Sequence, residues 1–336
     1  MKIKLSHSYS ELISIDNLLT AWQDFIRGKK DKSDVQEFGA RLFDNIIELH
    51  HDLAQFTYEH RGYQRFIISD PKPRIIHKAS VRDRVVHHAI YQQLYLFFDR
   101  TFIADSFSCR LNKGTHRALN RFRILVGQVS QNQTRTVWVL KCDIKKFFAS
   151  IDQFVLEQIL SEYITDRGIL WLLSQVITSF NSVNLGIGLP LGNLTSQLFC
   201  NIYLNKFDQF VKHKLKIQYY LRYADDFVVL SDDKSHLENI LPVISQFLNQ
   251  TLKLQLHPDK VFIKTFASGV DFLGWVHFPY YRVLRTTTKR RMFKRVIEQP
   301  SNEVVQSYLG LLKYGETYKL CQKIYRILDA PSACLK

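Results

Sequence analysis

Tyr223-Ala224-Asp225-Asp226 lies between two apolar runs, residues 217–222 and 227–230. This pattern predicts a β-hairpin whose tip pushes two adjacent carboxylates into solvent. Neighbouring acids repel, and an apolar hairpin gains nothing from them, so they make chemical sense where a cation is held. Asp is also a common turn residue, and an Asp-Asp tip taken alone is equally a solvated turn. A third acid changes the balance, because Asp143 follows the apolar run Val137-Trp138-Val139-Leu140. If these runs are neighbouring strands, Asp143, Asp225 and Asp226 meet at one sheet edge, where they cannot all stay ionised without a counter-charge. Such hard oxygen donors suit Mg²⁺, which keeps several waters and takes substrate phosphates as further ligands. Two such ions about 3.5–4 Å apart activate a 3′-hydroxyl and stabilise a leaving pyrophosphate during in-line displacement.

Several elements must position these acids. Val35, Phe38, Leu42, Ile46, Leu49, Leu53 and Phe56 recur at spacings of three and four behind Ser33 and Gln36, predicting one amphipathic helix opened by a capping box. Residues 63–68 and Arg74-Ile75-Ile76 flank Asp70-Pro71-Lys72-Pro73 and predict a hairpin around a Pro-rich turn. Helices are expected over 81–98, most of 154–180, 193–210 and 237–252, with a turn-rich stretch at 186–192. Short strands are expected at 261–266 and 272–278, then a helical tail, with His50-His51 and His87-His88 on helix surfaces. Strands and helices intermixed in this way make an α+β protein with a small antiparallel sheet.

The 336 residues carry 46% hydrophobic and 23% charged side chains, which excludes a disordered chain. A formal net charge of +15 favours a polyanionic partner, with nucleic acid the first candidate. Residues 279–336 concentrate that charge, with 12 Lys and Arg against 4 Asp and Glu, as a phosphate-gripping segment would. Cys109, Cys142, Cys200, Cys321 and Cys334 form no C-x-x-C pair and no zinc pattern with the His residues. Neither a signal-peptide core nor a membrane-length apolar run is found, so a cytoplasmic, reduced, soluble protein with no membrane partner is expected.

Lys141-Cys142-Asp143-Ile144-Lys145-Lys146-Phe147-Phe148, Gly188-Leu189-Pro190-Leu191-Gly192 and Tyr223-Ala224-Asp225-Asp226 stand in the order and rough spacing of reverse-transcriptase motifs. Lys72-Pro73-Arg74 and Asp83-Arg84-Val85-Val86 resemble the fingers motifs of the bacterial and group II intron branch. Ser106-Phe107-Ser108-Cys109-Arg110 is similar to the segment that follows them, and Phe272-Leu273-Gly274-Trp275 to the primer grip. Within that family, residues 188–197, with Ser196-Gln197 closing the motif, resemble the reverse transcriptases of diversity-generating retroelements. No maturase or endonuclease segment is expected after the thumb, in keeping with that group. The resemblance implies a right-hand polymerase with a small antiparallel palm sheet and a helical thumb. Its expected parts are an N-terminal helical extension (1–60), fingers (61–136), palm with the first catalytic Asp (137–152), fingers/palm helices (153–184), palm with the hairpin and primer grip (185–278) and a basic thumb (279–336).

The resemblance also implies roles. Asp143, Asp225 and Asp226 would be catalytic and, with the Ile144 carbonyl, would hold two Mg²⁺ ions, for which Mn²⁺ substitutes. Lys72, Arg74, Leu191, Gln197 and the backbone amides of Ile144 and Lys145 would contact the nucleotide. Phe148 would lie under the incoming sugar and exclude a 2′-hydroxyl, with Phe147 one residue away as its alternative. Tyr223 would back the hairpin and approach the primer terminus, or serve packing alone, while Leu273, Gly274, Trp275, Arg290 and Arg291 would hold primer and template. Lys260 would be a general acid for pyrophosphate or an ordinary surface Lys, and Arg84 would pair with Asp83 or another nearby carboxylate. Leu191 stands where retroviral enzymes carry Gln and offers no hydrogen bond, which implies relaxed base-pair geometry and errors at template adenines. Implied partners are template RNA, the RNA/DNA hybrid, dNTPs and a small basic oligomeric accessory variability protein. A phage-defence or group II intron-like reverse transcriptase, or a non-enzymatic nucleic-acid scaffold, is the alternative.

Overall fold

A computed structural model describes residues 3–69 and 73–329. The first helices are α1 (Tyr9–Ile13), α2 (Ile15–Phe25), α3 (Ser33–Ala40) and α4 (Leu42–Ala54). The single amphipathic helix expected behind Ser33 is therefore two helices. Arg41 leaves helical geometry at φ −124, ψ 42, and Ser33 is the first helical residue, behind an N-cap Lys32 with no side-chain cap. The apolar spacing survives the break because both helices bury one face: Val35, Ile46, Leu49 and Leu53 are buried, whereas Phe56 lies exposed past the end.

β1 (Gln64–Ile68) and β2 (Arg74–Lys78) form the expected antiparallel hairpin; its turn residues, including Lys72, lie outside the described residues. α5 (Val81–Asp99), capped by Ser80, and α6 (Thr115–Val129) follow. His87 is buried in α5, not on a surface, with its Nε2 3.1 Å from Nε2 of His60. Then come β3 (Trp138–Asp143), α7 (Phe147–Ser150), α8 (Gln153–Ser161), α9 (Arg167–Thr178) and α10 (Leu194–Gln209). β4 (Tyr220–Tyr223) and β5 (Asp226–Ser231) make the acid-bearing hairpin, followed by α11 (Lys234–Leu252) and β6 (Phe262–Thr265). The strand expected at 272–278 is a hairpin instead. β7 (Val270–Phe272) turns at Leu273 and Gly274, both with positive φ, into β8 (Trp275–His277), which pairs with β9 (Arg282–Leu284). α12 (Thr286–Glu298), α13 (Asn302–Leu312) and α14 (Tyr318–Asp329) form the basic tail.

The central sheet has strand order β4-β5-β3-β6, with every neighbouring pair antiparallel. It divides two hydrophobic cores. Leu140, Cys142, Tyr220, Phe227 and Val229 face the core built with α2, α5, α8, α9, α10 and α11. Val139, Leu221, Val228 and Leu230 face the core built with α6, β7–β9 and the tail helices. Because side chains alternate across a strand, burial on both faces requires the near-continuous apolar runs seen in the sequence. The edge of the second core is tightly fitted: a Cβ at Gly315 would fall 2.1 Å from Trp275 Cζ3 and 3.0 Å from the Arg282 carbonyl oxygen. Gly315→Ala should therefore lower unfolding free energy by about 1–3 kcal/mol through overpacking, measured by urea denaturation, whereas Gly62→Ala, where a Cβ meets nothing, should not.

Candidate active site

Antiparallel register sets Asp143 of β3 directly opposite Asp226 of β5, and Tyr223 of β4 opposite Asp226 on its other side. Lys141, two residues before Asp143, shares its face by pleat alternation. Its Nζ lies 3.1 Å from Asp226 Oδ1, and both side chains are largely withdrawn from water, 10% and 20% exposed. Beyond this ion pair the buried Oδ1 has no further partner. Lys260, on the turn Pro258–Lys260, donates to Asp143 Oδ1 at 2.8 Å. The His257 amide donates to the Asp143 carbonyl at 2.8 Å and fixes that turn against the strand end.

Asp225 sits in the hairpin tip after Ala224, whose φ of 53 turns the chain. The carboxylates are half-buried, not pushed into solvent as the hairpin pattern predicts, because the strand ends are flanked on both faces. Burial, then the Lys141 contact opposing it and the charges of Asp143 and Asp225 adding to it, leave the Asp226 carboxyl pushed up to about 6. Asp225 is raised by burial first and by Asp143, with Lys260 and Arg74 opposing. Among the described residues no group of three His, Cys, Asp or Glu stands in a ready-made metal cage. Mg²⁺ does not need one, since it binds through one or two carboxylates and completes its shell with water and phosphate. The hard oxygen donors and the under-partnered Asp226 Oδ1 fit such an ion, provided the lysine ammoniums yield to it.

Below the tip, on the opposite face, Arg222 is fully buried and makes a bidentate pair with Asp208 at 2.8 and 2.6 Å. Its Nη1 donates to the Ala224 carbonyl at 3.1 Å, and Tyr220 Oη donates to Asp208 Oδ1 at 2.7 Å. The Ser106–Phe107 segment lies alongside, its Phe107 amide donating to the Arg222 carbonyl at 3.0 Å. Sequence reasoning assigned no role to Arg222 or Lys141. The available signal was a cation inside an otherwise apolar strand, which can be buried only with a partner.

Of the two residues weighed for the sugar side, Phe147 is buried and Phe148 half-buried. The amides of Ile144 and Lys145, expected to hold triphosphate oxygens, are already committed, donating to the Asp225 carbonyl at 3.1 Å and the Gln255 carbonyl at 2.9 Å. The strand-end pairing of β3 consumes them. Gly188–Asn193 is stitched to two neighbours. Leu189 N donates to the Phe148 carbonyl at 2.8 Å, His77 N to the Leu191 carbonyl at 3.0 Å, and Asn193 Nδ2 to the His77 carbonyl at 2.8 Å. Gly192, at φ +109, lies so close to Ile76 that a Cβ would come within 2.6 Å of its methyl. Ile76 and Arg74 share one face of β2 by alternation, and Arg74 acts electrostatically on Asp225, so this face of the hairpin looks toward the acids. Gln197, in the first turn of α10, is half-buried.

Arg84 pairs with Asp34 at 2.6 Å, not with Asp83, whose carboxylate takes Tyr58 Oη at 2.8 Å and Ser80 Oγ at 2.6 Å. Tyr223 Oη lies 3.0 Å from Thr115 Oγ1. Leu273 and Gly274 form the β7–β8 turn, but Trp275 is 1% exposed and packs under Gly315, so its ring is core and only the turn is open to a strand. Arg290 is exposed and Arg291 half-buried on α12. No helix among the described residues is long and apolar enough to cross a membrane.

The family model described as "Reverse transcriptase (RNA-dependent DNA polymerase)" matches residues 69–277. Protein YkfC of Escherichia coli (strain K12) is 26% identical over 316 residues, covering 81% of each chain. Nuclear intron maturase 4, mitochondrial, of Arabidopsis thaliana is 26% identical over 215 residues, 61% of this chain and 25% of that one. The group II intron-encoded protein LtrA of Lactococcus lactis subsp. cremoris is 22% identical over 321 residues, 75% and 52% respectively. The chain thus spans a quarter to a half of these two intron-related proteins. The apo telomerase of Candida tropicalis, truncated from its C-terminal domain, superposes with a TM-score of 0.50 at 13% identity, over 67% of this chain and 56% of that one. The fold is that of a right-hand polymerase.

The buried pair under the hairpin tip makes a specific expectation. Arg222→Met leaves Asp208 buried and unpaired and should cost about 3–5 kcal/mol in urea unfolding. Adding Asp208→Leu should recover part of that loss, since an apolar pair of similar volume removes the stranded charge.

Proposed function

We propose, from the premise that the chain belongs to the reverse transcriptase (RNA-dependent DNA polymerase) family, that it copies template RNA into complementary DNA at Asp143, Asp225 and Asp226. The observation that carries this is the register: two acids 83 positions apart in the chain stand directly opposite at one strand end, with Asp225 adjoining. Asp143, Asp225, Asp226 and the Ile144 carbonyl would hold Mg²⁺, or Mn²⁺ in its place, as two ions. When bound, they would lower the pKa of the attacking 3′-hydroxyl and neutralise charge on the leaving pyrophosphate.

This chain's own residues do the rest. Lys260, 42% exposed and bonded to Asp143, would leave the carboxylate and deliver a proton to pyrophosphate. Lys141, far less exposed, stays as the fixed counter-ion of Asp226. Phe148 walls the sugar side and excludes a 2′-hydroxyl. Arg74, with Lys72, grips triphosphate or templating nucleotide, and Gln197 borders the same pocket. Tyr223, Leu273 and Gly274 support the primer end, and Arg290 and Arg291 follow duplex phosphates.

Leu191 and the Ser196-Gln197 pair support a finer reading, in which the enzyme serves a diversity-generating retroelement, misincorporates at template adenines and works with a small basic accessory protein. Its relatives favour a second, group II intron-like reading, which the same site chemistry accommodates.

Asp225→Asn should abolish primer extension on a defined RNA while sparing RNA binding; no extension by the wild type under any metal would favour a scaffold. Because burial and the Asp143 charge make the Asp225 carboxylate unfavourable in the metal-free fold, the same variant should gain stability in EDTA, measured by urea unfolding. Leu191→Gln should lower the adenine error by up to roughly tenfold, the worth of one hydrogen bond, counted by sequencing the products; an unchanged adenine spectrum would remove the retroelement reading's main support.

A further inference from the structure

The β8–β9 turn and the α13–α14 connection enclose a pocket of about 250 Å³ that none of the roles above uses. It lies at the opposite end of β8 from the Leu273–Gly274 turn, roughly 10 Å away for a strand of this length. Arg123 of α6, Arg282 and Lys313 line it. Arg282 Nε donates to the Tyr314 carbonyl and its guanidinium lies 5.6 Å over the Trp275 ring, but its Nη1 is buried with no partner. Burial and the charge of Arg123 both press the Arg282 pKa down, so the pocket brings cations together without an acid between them. The acidic lining residue, Glu316, is exposed at the rim, and its amide donates to the Arg282 carbonyl at 3.0 Å.

His277 lines the same pocket at 3% exposure, and its Nε2 has no partner. Burial, with Arg282 adding to it, pushes its pKa to about 4, so the ring is neutral. Its remaining hydrogen bond is to the Phe272 backbone. A neutral ring that donates from one nitrogen presents a lone pair on the other. The pocket therefore offers its guanidiniums to an anion and the His277 lone pair to a hydroxyl hydrogen. At the mouth, Tyr280 is 78% and Tyr281 47% exposed, with Tyr281 stacked on Phe278 at 4.9 Å.

We propose that this pocket binds one ribonucleotide unit, its phosphate between Arg123 and Arg282, its ribose hydroxyl on His277 Nε2 and its base against Tyr280 or Tyr281. A free nucleotide and a residue within an RNA strand share this chemistry. The site is separate from the acids of the central sheet and binds without a divalent ion.

The test uses the full chain in EDTA, titrated calorimetrically with AMP, dAMP, inorganic phosphate, and an eight-nucleotide RNA and its DNA counterpart. AMP or the RNA should bind one saturable site. Arg123→Met should weaken that site about tenfold, the worth of a charge-assisted hydrogen bond, and Tyr280→Ser should weaken it several-fold through lost stacking. Lys30→Met, which removes an exposed cation elsewhere, should change nothing. Saturable AMP binding without strand competition marks the free nucleotide as the source; RNA binding that falls with Arg123→Met marks the strand. The proposal is overturned if neither ligand saturates, if Lys30→Met weakens binding equally, if phosphate alone binds as well as AMP, or if dAMP and DNA match their ribose counterparts.

Discussion

Carboxylates crowded at the end of a buried sheet repel one another and lose hydration, and the rest of the site is arranged around that cost. Three cations answer it at different distances from water. Lys141 is held inside by the same strand that carries Asp143, and its reach to Asp226 follows from the diagonal geometry of paired strands. Lys260 comes from a surface turn and remains 42% exposed, so the pair it makes with Asp143 is solvent-screened and readily exchanged. Arg74 acts from the β1–β2 hairpin through the field alone. One counter-ion is thus fixed, one exchangeable and one carried by a separate element.

The sheet resists this load because its lower face carries a second, self-contained charge balance. Arg222 and Asp208 are both fully withdrawn from water, and a buried pair of this kind adds little net stability over an apolar one. What it supplies is direction. The guanidinium fork satisfies Asp208 in the plane of two hydrogen bonds and leaves one arm for the Ala224 carbonyl, the residue in left-handed geometry just before the acids. The hairpin tip is therefore held from beneath by a group that cannot deprotonate.

Much of this was legible in the sequence because the sheet is buried on both faces. Apolar runs 217–222 and 227–230 and the strand before Asp143 stood out, and hairpin chemistry placed the acids at one end. The solvent-facing tip was misjudged for the same reason, since period-two patterning says nothing about what packs over a strand end. Ser33 looked like a cap, yet Arg41 breaks the helix behind it, a local dihedral that no spacing of Leu and Ile records. Trp275 looked like a primer contact, but the hairpin turn before it and Gly315 above it draw the ring into the core. Partners remote in sequence were the least legible: Arg84 finds Asp34 and Lys260 finds Asp143 only once helices and turns are placed.

The loop Gly188–Asn193 joins the two halves of the proposed nucleotide pocket through its main chain and the Asn193 side chain. It accepts from His77 of β2 with the Leu191 carbonyl and donates to the Phe148 carbonyl with the Leu189 amide. Arg74 and Phe148, which face the nucleotide from opposite sides in the proposed reading, are thereby spaced by backbone hydrogen bonds that side-chain identity at 191 does not enter. The Leu191 side chain is then free to vary without breaking that stitching. Gly192 is not, because both its positive φ and the Ile76 methyl within 2.6 Å of any added Cβ exclude a side chain. An open position thus stands beside a closed one, and the closed one lets the β1–β2 hairpin approach the loop closely.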